Sequence, residues 1–350
     1  MKQSIEYTNF SYWMKIRHAY ACGIELTPYC NFHCVHCYLQ NEKNTQCLSG
    51  DEVKKILDLL YDAGILFVYF TGGEILTRED FLDVYLYAKK RGFIVELLTN
   101  ISLLNNEIID VFKQYPPATI SISVYGASEE TYQKVTQSSG NYRRVMQALD
   151  MLADAHLHFE VKFIGLKCNL DDFQAVESLA HKYKVDFKHS FELFPTLNGD
   201  IIPFEYMLTP KEVVDFEKKY AITINRWASR CFPSPPSSDR KLFACDIAQS
   251  SFIIDCEGYM EPCNKLRLKK YKILDLGYQP IWEEFAKYKQ MEAPASFQCL
   301  SCDFRLICTP CPAENLLTNR SFEQPAEHMC RLAESRMNEF SNSQYDYLRK

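Results

Sequence analysis

The chain has 350 residues, 47% of them hydrophobic and 24% charged, with a net charge of −6 and 15 cysteines. Its length supports one large or two ordinary domains with buried cores, so disulfide staples are not required, and an odd number of thiols cannot all pair. Dispersed Lys and Arg give no basic stripe for nucleic acid, no run approaches the roughly 18 to 20 apolar residues of a membrane span, and MKQSIEYTNF is no signal peptide, so the chain reads as cytoplasmic.

From residue 22 to about 191, short β-rich runs alternate with helical patterns. CGIELT leads to a helix that opens on a capping box, Ser49 and Glu52, carries Val53, Ile56, Leu57 and Leu60 at helical spacing, and stops at Gly64. LFVYFT precedes a helix from about Asp80, with Phe81, Val84, Tyr85 and Ala88 on one face and Gly92 at its end. The rhythm continues through FIVELLT, a helix near 105–115, TISISV, a helix at 141–156, FEVKFIGL, a helix at 172–183, and DFKHSFEL. Six strands, each but the last followed by a helix, predict an α/β fold with a parallel sheet, a partial (β/α)6 TIM-type barrel with its chemistry at the strand C-terminal ends. Past Pro195 the rhythm fails: prolines gather at 195, 203 and 210, and FPSPPSSD from Phe232 reads as a loop. Nine of the fifteen cysteines lie at or after residue 231, around one hairpin-like run, SFIIDCEGYMEP, while KLRLKKYK from Lys265 reads as a solvated hairpin edge. The expected organisation is an N-terminal extension over 1–21, the barrel over 22–194, a bridging segment over 195–230 and a cysteine-rich domain with a C-terminal helix over 231–350.

In a reducing compartment, clustered cysteines more often bind metal or do redox chemistry than form bridges. Cys30, Cys34 and Cys37 directly follow strand one, which places them on a loop at the barrel mouth. Three thiolates can hold three irons of a cubane cluster and leave the fourth iron open, whereas structural zinc wants four protein ligands, a set that His33 or His36 could complete. The C-x3-C-x2-C loop, with His36 before its last cysteine and Tyr38 after it, resembles the radical S-adenosylmethionine (radical SAM) superfamily, and so does Gly72, Gly73 and Glu74 after strand two. The resemblance implies that S-adenosylmethionine chelates the open iron of a [4Fe-4S] cluster, and that one electron splits it into methionine and a 5′-deoxyadenosyl radical that abstracts a substrate hydrogen. The glycines would let the backbone approach the cofactor, and Glu74 would accept bonds from the methionine ammonium. By position, further cofactor contacts would come from Tyr38 and from the ends of strands three to five: Thr99 and Asn100, Ser121 and Ser123, and Asn169. The Arg that binds the cofactor carboxylate in relatives has no counterpart in YQKVTQSSG, where Lys134 or Gln137 could substitute.

The remaining cysteines resemble the SPASM domain, which is fused to radical SAM barrels in peptide and protein maturases. Cys245, Gly258 and Cys263 fit its opening, and Cys299, Cys302, Cys308, Cys311 and Cys330 its remainder, with two residues instead of three between Cys308 and Cys311. This implies two auxiliary [4Fe-4S] clusters, the outer on Cys299, Cys302, Cys308 and Cys330, the inner on Cys245, Cys263 and Cys311. An eighth ligand would come from upstream, from Cys231, with Cys256 as competitor and an open iron that binds a substrate thiol as the alternative. Cys22, Cys47 and Cys168 read as packing residues.

The implied function is maturation of a ribosomally made peptide, by thioether or carbon–carbon crosslinking or side-chain oxidation. Implied partners are the peptide or protein substrate, an external flavodoxin- or ferredoxin-type electron donor and a separate leader-peptide-binding protein. The rivals are an anaerobic sulfatase maturase, disfavoured because Asn264 stands where an acidic residue would follow Cys263, and a small-molecule dehydrogenase or tetrapyrrole-modifying relative. A non-catalytic zinc module would leave the Gly-Gly-Glu run without purpose.

Overall fold

A computed structural model describes residues 17–39, 45–231 and 240–348, so the loop expected over 232–239 and most of the N-terminal extension lie outside the described residues. Strands β1 (Ala21–Thr27), β2 (Phe67–Gly72), β3 (Ile94–Thr99), β4 (Thr119–Ser123), β5 (Phe159–Ile164) and β6 (Asp186–Ser190) pair in parallel, each with the next. The helices between them are α1 (Gly50–Asp62), α2 (Phe81–Arg91), α3 (Asn106–Gln114), α4 (Glu129–Thr136), α5 (Asn141–Asp154) and α6 (Phe173–Tyr183). α1 starts where its capping box dictates: the Ser49 N–H donates to the Glu52 carboxylate at 2.8 Å, and the Glu52 N–H to Ser49 Oγ at 3.3 Å. Its Val53, Ile56, Leu57 and Leu60 are buried against the sheet.

Alternation divides the strands between two faces. Ile24, Leu26, Val68, Phe70, Ile120, Ile122, Val161 and Phe163 are almost wholly buried beneath the helices, and so is Cys22, as expected of a core thiol. The residues between them are polar: Glu25 on β1, Tyr69 on β2, Glu96 on β3, Ser121 on β4 and Glu160 on β5.

The expected hairpin forms as β7 (Ser251–Ile254) and β8 (Met260–Glu261), and it does more than close on itself. β7 lies parallel to β1, from Ala21 opposite Ser251 to Ile24 opposite Ile254, so the sheet runs β6-β5-β4-β3-β2-β1-β7-β8. Without it, β1 would present an unpaired edge.

Two helices occupy the segment expected to bridge, α7 (Pro210–Glu217) and α8 (Ala221–Ala228). Pro210 opens α7 at a position where its missing N–H costs nothing, behind a second capping box formed by Thr209 and Glu212. After the short helices α9 (Ile273–Leu276), α10 (Tyr278–Glu284) and α11 (Ala286–Gln290) come α12 (Pro312–Asn319) and the C-terminal α13 (Glu327–Phe340). Arg336 of α13 pairs with Glu217 of α7 at 2.6 Å and stacks on Trp227 of α8, which ties the bridge to the last helix. Among the described residues, no helix is long and apolar enough to cross a membrane.

Candidate functional site

The loop that follows β1 is held from two sides. Gly73 N–H donates to Thr27 O at 2.6 Å and Glu74 N–H to Tyr29 O at 2.8 Å, while His33 N–H and Val35 N–H donate to Thr136 O and Val135 O at the end of α4. This fastening brings Cys30, Cys34 and Cys37 together, close enough for each thiol's charge to disfavour ionisation of its neighbours. Burial dominates, pushing Cys30 up to about 12 and Cys34 well above the ordinary thiol range. Thiols so placed resist ionisation unless a cation compensates, which suits a metal site. Two neighbours address them directly: Asn100 Nδ2 lies 3.6 Å from Cys30 Sγ, and the Tyr125 hydroxyl hydrogen-bonds Cys34. Tyr125 also meets His36 edge-on, at 5.3 Å between ring centroids. Nothing in SISVY distinguished this tyrosine from another apolar strand residue.

The Gly-Gly-Glu run packs closely on the loop that follows β1. A Cβ on Gly72 would stand 2.2 Å from Thr27 O, and one on Gly73 2.1 Å from Tyr29 O, so what the glycines admit is the chain's own loop. Glu74 is fully buried, yet near enough to Cys30 for its charge to disfavour that thiol's ionisation. Its carboxylate accepts from Thr99 Oγ1 at 2.6 Å, Asn100 N at 2.6 Å and Leu76 N at 3.0 Å, which binds the end of β2 to the end of β3.

The strand-end candidates separate in the same way. Thr99 spends its hydroxyl on Glu74 and on the Ile101 N–H at 2.8 Å. Asn100 reaches the triplet at Cys30. Ser121 is not at a strand end but in mid-β4, its hydroxyl held between Glu96 and Glu160, whereas Ser123 closes β4 and hydrogen-bonds Tyr125. Asn169 is consumed by backbone, accepting from Leu166 N at 2.7 Å and donating to Tyr125 O and Ile164 O at 3.0 Å; through the first of these carbonyls it positions Tyr125. Lys134 pairs with Glu130 at 2.8 Å on the exposed face of α4, and Gln137 donates back to Lys134 O, so both are engaged within their own helix.

The C-terminal thiols fall into two groups. Cys263 is pushed up to about 11 by burial, with Cys311 and Cys245 as its thiol neighbours. Cys299 and Cys308, raised to about 11 and 12 by burial, interact with Cys302 and Cys330. Among the described residues, no three Cys, His, Asp or Glu side chains close to the spacing of a single bare ion. Cys231 lies in a core other than the one that Cys263 and Cys311 adjoin, with Cys308 packed against it. It is 4% exposed in a small core of Val214, Trp227, Ala228, Ile307, Ala333 and Phe340, because α8 packs on α13 and draws residue 231 with it. Cys231→Ala is therefore expected to cost about 1 kcal/mol of stability and to leave iron and sulfide per chain unchanged, which urea unfolding and metal analysis will check.

The loop after β8 sends Arg267 inward, where the solvated edge was expected. Its guanidinium grips Glu25 of β1 at 2.6 and 3.1 Å, and the Tyr38 hydroxyl stands 3.4 Å from the same carboxylate. Beside this group a cavity of about 20 Å³ is lined by Thr27, Pro28, Asp255, Cys256, Arg267 and Lys269, among others. Asp255 is 5% exposed; its Oδ1 accepts from the Glu257 and Tyr259 N–H groups of the β7–β8 turn, at 3.0 and 2.9 Å, and its Oδ2 has no hydrogen-bond partner. Desolvation raises its pKa, so the stabilisation contributed by the protonated form is complete at low pH and is lost as pH rises through the folded-state value. Asp255→Asn keeps the Oδ1 acceptor and removes the buried charge. It is expected to unfold at higher urea than wild type at pH 8, by about 1 kcal/mol, with the difference shrinking at pH 5.

Residues 24–180 match the family model of the radical SAM superfamily. The AdoMet-dependent heme synthase of Methanosarcina barkeri is 24% identical over 313 residues, 83% of this chain and 90% of that protein. The antilisterial bacteriocin subtilosin biosynthesis protein AlbA of Bacillus subtilis is 24% identical over 315 residues, 85% of this chain and 68% of that protein. Streptococcus suis SuiB, in its crystal structure bound to the precursor peptide SuiA, shares the fold over 94% of this chain and 82% of its own, with a TM-score of 0.67 at 15% identity.

Proposed function

The chain is a radical SAM enzyme, and from that premise we propose that it modifies a peptide, with three iron–sulfur clusters held by three separate sets of thiols. The observation that carries this reading is their separation in space: Cys30, Cys34 and Cys37 at the end of β1, Cys245, Cys263 and Cys311 behind the hairpin, and Cys299, Cys302, Cys308 and Cys330 against α13. As a radical SAM enzyme it uses S-adenosylmethionine and a [4Fe-4S] cluster, which together supply a 5′-deoxyadenosyl radical for hydrogen abstraction. Asn100 and Tyr125 hold two of the first three thiols in place by hydrogen bonds. The α4 carbonyls fix the loop, and Glu74 fixes Asn100. The two C-terminal sets hold auxiliary [4Fe-4S] clusters, the inner one through three thiols. An external flavodoxin- or ferredoxin-type donor supplies the electron, and the reducing cytoplasm keeps the thiols available.

A peptide fits better than a polycarboxylate because three cations near the sheet's polar face and the inner thiols are already paired with carboxylates. Arg267 is paired with Glu25, Lys188 with Glu160 and Lys265 with Glu314, each at 2.6 Å. The likeness to AlbA and to peptide-bound SuiB supports the same reading. Similarity to a heme synthase along most of both chains favours a second one, an iron tetrapyrrole as substrate. Anaerobic reconstituted enzyme supplied with reductant and S-adenosylmethionine should release deoxyadenosine and change the mass of peptides encoded beside its gene. Loss of carboxyl groups from an added iron porphyrin, with those peptides unaltered, would establish the second reading.

A further inference from the structure

Five thiols belong to none of the three sets, and two of them meet, Cys47 and Cys256. Cys47 lies two residues before the Ser49 cap of α1, and Cys256 lies in the turn between β7 and β8. Their segments are locked side by side. The Leu48 N–H donates to the Cys256 carbonyl at 2.8 Å, and the Leu48 carbonyl accepts from Arg78 Nη1 at 3.0 Å. Arg78 in turn grips Leu26 O at 2.7 Å and Asp80 at 2.7 Å. Gly258 completes the clamp at φ +86°, so close that a Cβ there would stand 3.3 Å from Leu48. Between these fastened backbones the two thiols hydrogen-bond each other, Cys256 buried at 6% exposure and Cys47 half-buried. Cys256 is bonded through its carbonyl to the residue that follows Cys47, and with the two thiols hydrogen-bonded this adjacency suits the short Cα separation of a disulfide.

We propose that Cys47 and Cys256 form a dithiol–disulfide couple, a covalent modification site separate from the cluster thiols, which clasps the C-terminal hairpin to the segment that leads from the cysteine triplet into α1. Its oxidant is a low-molecular-weight disulfide, RSSR. The Cys47 thiolate attacks one sulfur, the RS–SR bond breaks, a Cys47–SR bond forms, and the leaving RS⁻ takes a proton. Cys256 then yields its proton and attacks the Cys47 sulfur, which expels the second RS⁻ as RSH. Two protein S–H bonds are lost and one S–S bond gained, while RSSR is reduced to two RSH. The order follows exposure: an accessible nucleophile, then a buried thiol that resolves the mixed disulfide. Burial and the bond to Cys47 keep Cys256 protonated until that second step. Because Cys256 lines the cavity beside Glu25 and Arg267, the crosslink fixes one wall of the candidate site.

The proposal is independent of the substrate reading, and its test needs no substrate. The reconstituted holoenzyme is equilibrated anaerobically in mixtures of reduced and oxidised glutathione, alkylated, digested and analysed by mass spectrometry. A Cys47–Cys256 linked peptide should accumulate as oxidised glutathione increases, with iron per chain unchanged, and disappear in Cys47→Ser. Cys47→Ser changes only the half-buried partner and should keep its full iron content; Cys256→Ser supplies a second variant that lacks the crosslink. Separate alkylation of both thiols across the whole range, glutathione adducts without a crosslink, or linkage of either thiol to a cluster cysteine would each overturn the proposal.

Discussion

Replacing Cys30, Cys34 and Cys37 together with Ala is expected to abolish cleavage of S-adenosylmethionine while the C-terminal region keeps its iron. The three thiols form one set at the end of β1, and the seven others, from Cys245 to Cys330, form two further sets, so removing the first leaves the second and third with all their sulfur. The loop should survive, because its fastenings are backbone bonds from His33, Val35, Gly73 and Glu74 that do not involve the thiols. Losing three sulfurs from a partly buried site costs about 1 kcal/mol each at most. Deoxyadenosine release measures the first half of the expectation, and iron and sulfide per chain the second. Deoxyadenosine at the wild-type rate would place the radical chemistry elsewhere, and loss of all iron would mean that the three sets fold as one unit.

What the sequence made legible was whatever local chemistry determines. The capping box at Ser49 and Glu52, the Gly92 stop and the β/α alternation each depend on neighbours in the chain, and they led to the six parallel strands. The thiol partition was implied by the resemblance of the cysteine pattern to the SPASM domain. Long-range packing was not legible. Cys231 stands upstream of Cys245 in sequence, yet α8 carries it to α13. Arg267 sits in a run of basic residues that looks solvated, and only the pairing of β7 with β1 turns it toward Glu25. Pro210 reads as a loop signal until it is seen to open a helix. α4 was overlooked because EETYQKVT has few apolar residues, although Ser128 caps it and Tyr132 and Val135 bury its inner face. Ser121 shows the limit of assigning strand ends by count: a shift of two residues keeps a side chain on the same face but moves it from the mouth to the middle.

Glu74 decides between two accounts of the Gly-Gly-Glu run. If its carboxylate faces the cofactor, as the resemblance implies, Glu74→Ala weakens S-adenosylmethionine binding and barely affects folding. The geometry predicts the reverse order. Three donors converge on the buried carboxylate, from Thr99, Asn100 and Leu76, and truncation orphans all of them. At about 1 to 3 kcal/mol for each buried group left unsatisfied, with partial relaxation, Glu74→Ala should lose about 3 kcal/mol or more of stability. Glu74→Gln keeps the shape and the acceptor oxygen but turns an amide N–H₂ toward one of the donors, so its loss should be about 1 to 2 kcal/mol. Cofactor affinity should fall in both variants in proportion to these losses, because Asn100, which Glu74 holds through its backbone N–H, is the side chain that reaches Cys30. Urea unfolding and anaerobic titration with S-adenosylmethionine on the same preparations measure the two quantities. A Glu74→Ala protein that unfolds at the wild-type midpoint yet binds the cofactor at least tenfold more weakly would return the carboxylate to the cofactor and reduce its bonds to β3 to a secondary role.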